Sequence, residues 1–325
     1  MKLAFGILCA TEAPEVVRQL VTSLGNEDPI LVHHDRSKQP NFSLAGSRAW
    51  MVPDPVETGW GTPGLPQAIF HLIRCALERE PFDYFQLLSG TCLPLRPVAE
   101  LKQYLAARRA PVHADLVNLD QDERVLMSHG HRVFCRDQTL ASRILGRSRR
   151  WYLGEDPVTI QEANLGIHER SGSGDHLTAL QWLGKQVHAA ARVGLLDSHP
   201  FHGDTAPFVG SLWFCLRRDA CEYLVHQEHA NPFVPYLYGL KVCDEILFPT
   251  LLGNSGFAVA PSNHLVNEFI GSHPRVFDER DRGLLAGSDR YFARKFAGTA
   301  DDPMRQAVLA RLAQRKTAPQ VATTA

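Results

Sequence analysis

Asp244 and Glu245 stand side by side, after Val242-Cys243 and ahead of the apolar run ILFPTLL at 246–252. A carboxylate held at the ligand edge of a sheet can act as a general base. Read locally, the same pair starts a helix, with Asp244 as cap and Glu245 in a first turn that the dipole favours. Two cationic segments follow: SHPRVF at 272–277, which carries Arg275, and YFARKF at 291–296, which carries Arg294 and Lys295. An Arg fork and a Lys point charge suit a diphosphate. Either segment taken alone also reads as a solvated helix face whose aliphatic stems lie along apolar surface.

Three other groupings invite a chemical reading. His33-His34-Asp35 closes a short apolar run, where strand ends face a ligand crevice in doubly wound sheets. Metal ligation, a nucleotide contact through Asp35 and a simple helix cap all remain open for it. Adjacent strand residues point to opposite faces, so His33 and His34 do not readily share one metal. Ser89-Gly90-Thr91 follows an aromatic run, where many nucleotide-sugar transferases carry a metal-binding Asp-x-Asp. The chain's literal Asp-x-Asp, Asp120-Gln121-Asp122, lies in the charged stretch LDQDER and reads as a solvated loop.

The elements that must position these residues alternate. Lys2–Ala10 reads as a buried strand, Pro14–Leu24 as a helix with Pro in its first turn, and Pro29–His33 as a second strand. Leu65–Arg79 reads as a helix, Phe82–Leu88 as a central strand and Val98–Ala107 as a helix, a β-α-β order that predicts a parallel sheet. Further on, SGSG at 171–174 reads as a turn and His176–Val193 as an amphipathic helix. Val209–Cys215 reads as a strand, and Asp219–His226 and Asp244–Leu252 as helices. The basic stretch RILGRSRR at 143–150 reads as a solvated loop, with contact to an anionic membrane or an acidic glycan as the alternative. One α/β domain over residues 1–315 is expected, with 316–325 as a disordered tail.

Composition sets limits. Apolar residues are 44% and charged residues 21% of 325, as in ordinary globular proteins. A net charge of −1 offers no global field for nucleic acid. The seven cysteines form no CxxC, which argues against a zinc site and for small buried hydrophobes in a reducing compartment. The N-terminal apolar run is too short for a leader, and no run reaches membrane-spanning length, so a cytoplasmic protein, at most peripheral to a membrane, is expected.

In order and spacing, a series of segments resembles one glycosyltransferase family: the core-2/I-branching β-1,6-N-acetylglucosaminyltransferases together with the peptide O-xylosyltransferases. The segments are VHHD at 32–35, WG at 60–61, FDYFQLLSGTCLPLRP at 82–97, GSLWFCLRRDACEYL at 210–224, DEILFPTLLGNS at 244–255, HPRVF at 273–277 and FARKF at 292–296. The resemblance implies a GT-A-type fold with a mostly parallel, Rossmann-like sheet flanked by helices. It implies an inverting transfer from a UDP-sugar to a glycan hydroxyl, with neither cofactor nor metal. Carried over by position, Glu245 would be the base, Arg275 and Lys295 would hold the diphosphate, and Asp35 and Trp60 would lie near the nucleotide; Trp213 and Asp244 are expected as acceptor-side or supporting residues, Asp244 as a cap that orients Glu245. The xylosyltransferases carry Gly-Ser-Asp-Trp where this chain has Gly210-Ser211-Leu212-Trp213, so N-acetylglucosamine is the leading donor sugar and xylose the runner-up. A metal phosphohydrolase built on His33–Asp35 and a non-catalytic sugar-binding protein are the readings from other classes.

Overall fold

A computed structural model describes residues 1–171, 176–270 and 273–317. In chain order the elements are β1 (Leu3–Cys9), α1 (Pro14–Ser23), β2 (Ile30–His34), β3 (Trp50–Met51), α2 (Gly64–Arg79), β4 (Tyr84–Ser89), β5 (Leu93–Pro94), α3 (Val98–Arg108), β6 (Val112–Asn118), α4 (Glu123–Val133) and α5 (Leu140–Leu153). The hairpin β7 (Val158–Glu162) and β8 (Leu165–Glu169) follows, then α6 (Ala179–Arg192), β9 (Phe208–Arg217), α7 (Arg218–Ala230), α8 (Val234–Tyr238) and α9 (Asp244–Gly253). Last come β10 (Val259–Ala260), β11 (Leu265–Val266), β12 (Phe269–Ile270), β13 (His273–Pro274), α10 (Arg282–Gly287), β14 (Phe292–Ala293) and α11 (Pro303–Thr317).

The chain packs as two compact units. The first holds residues 1–55, 75–110 and 264–325. Its sheet runs β4-β1-β2-β3, with every pairing parallel. All seven residues of β1 are buried, and so are all of β2 and β4, as expected of parallel strands covered on both faces. On α1, Val16, Val17, Leu20 and Val21 recur at helical spacing and are buried. A small second sheet, β11-β14-β5, adjoins a core of Leu93, Leu95, Phe277, Leu285, Phe296, Met304 and Val308.

The second unit holds residues 56–74 and 111–263. Its sheet runs β10-β6-β9, with β10 parallel and β9 antiparallel to β6. Phe248 meets Phe70 with tilted rings, 5.0 Å apart, and Phe214 of β9 edge-on, 5.5 Å apart. The α/β class expected from the alternation is therefore observed.

Three local readings change. LDQDER is not simply a loop: Asp122 accepts from the backbone N–H groups of Arg124 and Val125 and so caps α4, while Asp120 pairs with Arg192. RILGRSRR lies within α5 rather than in a loop. Lys316 and Thr317 complete α11. The rest of the expected tail, 318–325, and residues 172–174 of the expected SGSG turn lie outside the described residues.

Candidate functional site

In the first unit, chemistry collects at the carboxyl ends of β1, β2 and β4. Cys9 pairs in register with His34, and Leu8 with Ser89, so these strand ends lie level. Gly90 donates its N–H to the Leu8 carbonyl, and a Cβ there would fall 3.0 Å from that of Cys9 and 3.2 Å from Cγ of Glu12. Only glycine lets this turn lie so close. Ser89 and Thr91 join their hydroxyls at 3.0 Å, so the place of an Asp-x-Asp holds a small, neutral, internally bonded pair.

Asp35 is buried and closes a turn, accepting from the N–H of Ser37 at 2.9 Å and its hydroxyl at 2.6 Å. It caps no helix. His34 stacks on Phe42 at 3.9 Å, and burial lowers its pKa. Among the described residues, no three His, Cys, Asp or Glu side chains gather as a metal-binding group.

The cationic segments attach to the same edge. Phe296 donates its N–H to the Thr91 carbonyl, and Phe277 donates to the Lys295 carbonyl. Lys295 is thereby one residue from the contact with the β4 end, and Arg275 two residues from the contact with Lys295. Their electrostatic states differ. Arg275 makes a two-pronged bond to Asp281, at 2.6 and 2.8 Å. This holds the Asp281 carboxyl below its ordinary pKa and raises that of Arg275. Lys295 is half-buried and forms no ion pair among the described residues.

The second unit carries the other four expected residues. Trp60 is 73% exposed, in the loop before α2. Its neighbour Gly61 lies against Val242, where a Cβ would meet the valine side chain at 3.6 Å. Val242 itself has φ +54, a costly conformation for a β-branched residue, immediately before Cys243-Asp244-Glu245. Trp213 is buried on β9.

Asp244 does not cap α9. The cap position is Cys243, with no side-chain cap bond, and Asp244 is the first helical residue. The residue is 2% exposed, and among the described residues its Oδ1 has no hydrogen-bond partner. Burial, and then the neighbouring Glu245 charge, push its pKa up to about 7. Glu245 is a third exposed and meets Arg132 of α4 at 2.8 Å through Oε2. The other end of that guanidinium lies 2.8 Å from Nδ1 of His129. His129 is held well below its ordinary pKa by burial and by the charge of Arg132. It is neutral, with Nδ1 as acceptor, because Arg can only donate.

Sequence reasoning missed Arg132 and His129. Their i,i+3 spacing signals a shared helix face, but nothing in the sequence links that face to a carboxylate 113 residues on.

Residues 4–131 match the family model Branch, described as Core-2/I-Branching enzyme. That span includes Asp35, Trp60 and the 82–97 segment; Arg132, Glu245, Arg275 and Lys295 lie beyond it. No curated protein matches the chain. Among solved structures, the chain resembles the apo crystal structure of mouse xyloside xylosyltransferase 1 at 11% identity. The likeness covers 78% of this chain and 82% of that one, with a TM-score of 0.29, too low to carry an argument.

Proposed function

We propose that this chain, whose residues 4–131 match the model of the Core-2/I-Branching enzyme family, is a glycosyltransferase that moves a sugar from a UDP-sugar to a glycan hydroxyl with inversion and without a metal, on a fold of the GT-A type. N-acetylglucosamine is our first choice of sugar. Glu245 is the base. The acceptor oxygen attacks the anomeric carbon in line, its proton passes to the Glu245 carboxylate, and the bond from that carbon to the UDP oxygen breaks. Proton removal of this kind contributes roughly 10²–10⁴-fold. Arg132 holds Oε2 of Glu245, while Oε1 forms no hydrogen bond among the described residues and is open to a hydroxyl.

UDP leaves with its charge on the diphosphate. Fixed cations can stabilise that charge where a metal otherwise would. The observation that carries this reading is Lys295: a cation without an ion pair among the described residues, held beside the neutral Ser89–Thr91 turn at the carboxyl edge of a parallel sheet. Arg275 serves the same end, although Asp281 already balances part of its charge.

The test is UDP release from a panel of UDP-sugars with glycan acceptors, with and without EDTA. Release that survives EDTA and drops by about 10²-fold or more in Glu245→Gln is expected. Full activity in that variant overturns the base assignment, and loss in EDTA overturns the metal-free mechanism.

A further inference from the structure

The RILGRSRR stretch plays no part in the transfer chemistry above, and its helical conformation gives it a face. Along α5, Leu140, Arg143, Ile144, Arg147 and Arg150 recur at the i, i+3, i+4, i+7 spacing of one stripe. Leu145, Ser148 and Leu153 are buried on the other side. Leu140 is 72% and Ile144 40% exposed, and the three arginines are exposed too. Among the described residues none of these three forms an ion pair. Arg149 differs: it turns inward and donates to the Ser128 carbonyl.

The helix packed beside α5 adds to this character. Gly184 of α6 lies so close to α5 that a Cβ would fall 2.6 Å from the Ser148 carbonyl oxygen. On α6, Leu180, Trp182 and Leu183 are exposed. Neither helix contains an Asp or Glu. The cations of α6 are balanced, Lys185 by Glu123 and Arg192 by Asp120. Among the described residues the uncompensated charge is that of α5. Glu155 and Asp156 follow only after that helix has ended.

We infer that the α5–α6 helix pair docks on an anionic lipid surface, with Arg143, Arg147 and Arg150 at the headgroup phosphates. Two features select this partner. Arginines without an ion pair among the described residues are complementary to a negative surface. Exposed Leu, Ile and Trp beside them gain nothing from a polyanion in water, but they lose hydrated apolar area when they sink to the acyl boundary. This docking is independent of the transfer chemistry.

The experiment is co-sedimentation of the full chain with vesicles of pure phosphatidylglycerol or pure phosphatidylcholine, at low and high salt. Expected are binding to phosphatidylglycerol alone, release by salt, and at least about tenfold weaker binding in Arg143→Glu/Arg147→Glu/Arg150→Glu. Trp182→Ala is also expected to weaken binding, with far-UV circular dichroism and UDP release unchanged in both variants. Three outcomes overturn the inference: no binding to phosphatidylglycerol, binding indifferent to the arginines, or binding to soluble heparin with none to vesicles. The last assigns the face to an acidic glycan.

Discussion

Asp244 and Glu245 are neighbours in the chain with opposite electrostatic fates. Glu245 meets Arg132 through one oxygen, and its other oxygen forms no hydrogen bond among the described residues; Asp244 is sealed in, and its pKa rises to about 7. The sign of the consequence follows from proton binding. Between the ordinary carboxylate range and pH 7 the unfolded chain has released this proton and the folded chain keeps it. For this group, stability therefore falls as pH rises through that window. The cost reaches on the order of a few kcal/mol above pH 7. Asp244→Asn removes that slope, and urea midpoints at pH 5 and pH 8 are expected to lie closer together than in the parent; an unchanged gap refutes the buried-acid account. The cations make a second prediction. Among the described residues Lys295 has no carboxylate partner and Arg275 does, so Lys295→Ala is expected to lower kcat by about 10²-fold, the cost of one lost stabilising donor. Arg275→Ala is expected to lower it less. The reverse order, measured with saturating donor, contradicts the charge balance described. The sequence made the residue types at these positions legible, but not their charge balance. Asp281 is six residues from Arg275 and Arg132 is 113 from Glu245, and no local pattern encodes either pairing.

Elements whose signal is local were readable at once. β1, α1, β2, α2, β4 and α3 carry clean apolar periods, and α9 begins at Asp244 as expected. Elements that depend on a distant partner were not. β6 and the hairpin β7–β8 escaped notice because their pairing, not their composition, defines them. On β7 all five residues are exposed, so no buried face marks it as a strand. α5 escaped because its outward stripe mixes Leu, Ile and Arg, which blurs the polar-apolar division that signals a helix. Two glycines test the packing of α5 on α6. Gly146 of α5 has nothing within 4 Å of an added Cβ, so Gly146→Ala should gain helix propensity, roughly 0.5–1 kcal/mol. Gly184→Ala gains the same propensity, but its Cβ meets backbone, the Ser148 carbonyl oxygen at 2.6 Å and the Tyr152 nitrogen at 3.1 Å. Backbone cannot swing away as a side chain can, and overpacking costs about 1–3 kcal/mol. The clash outweighs the gain. Thermal unfolding should put Gly146→Ala above the parent and Gly184→Ala below it; equal shifts would show that α5 and α6 are not in close contact.

At the scale of the whole chain, the first unit is assembled from three separated segments, and its last element returns to the first. Arg305 of α11 is wholly buried, donating to Oε1 of Gln19 at 3.0 Å and to the Val16 carbonyl at 3.2 Å, both on α1. Burial depresses its pKa to about 10. This closure was illegible in the sequence. α11 intersperses its apolar residues with Arg, Gln and Lys, and its buried Met304, Val308 and Leu312 become meaningful only beside partners some two hundred residues earlier, Leu93 and Leu95 among them. The same cluster contains Phe277 and Phe296, the residues next but one to Arg275 and next to Lys295. The cations are thus held by a core that α11 completes. Met304→Ala should open a cavity in that core at a cost of about 2–5 kcal/mol. Because Phe277 and Phe296 line the cavity, the Lys295 segment should lose order as well, and UDP affinity should fall severalfold although Met304 itself is buried. Glu245→Gln, which leaves this core intact, should bind UDP as the parent does. Calorimetric titration of UDP into the three proteins separates the cases. A Met304→Ala protein that loses stability but binds UDP unchanged would mean that the Phe277–Phe296 core does not order the cations. A Glu245→Gln protein with weakened UDP binding would mean that Glu245 contributes to holding the nucleotide and is not confined to the acceptor's proton.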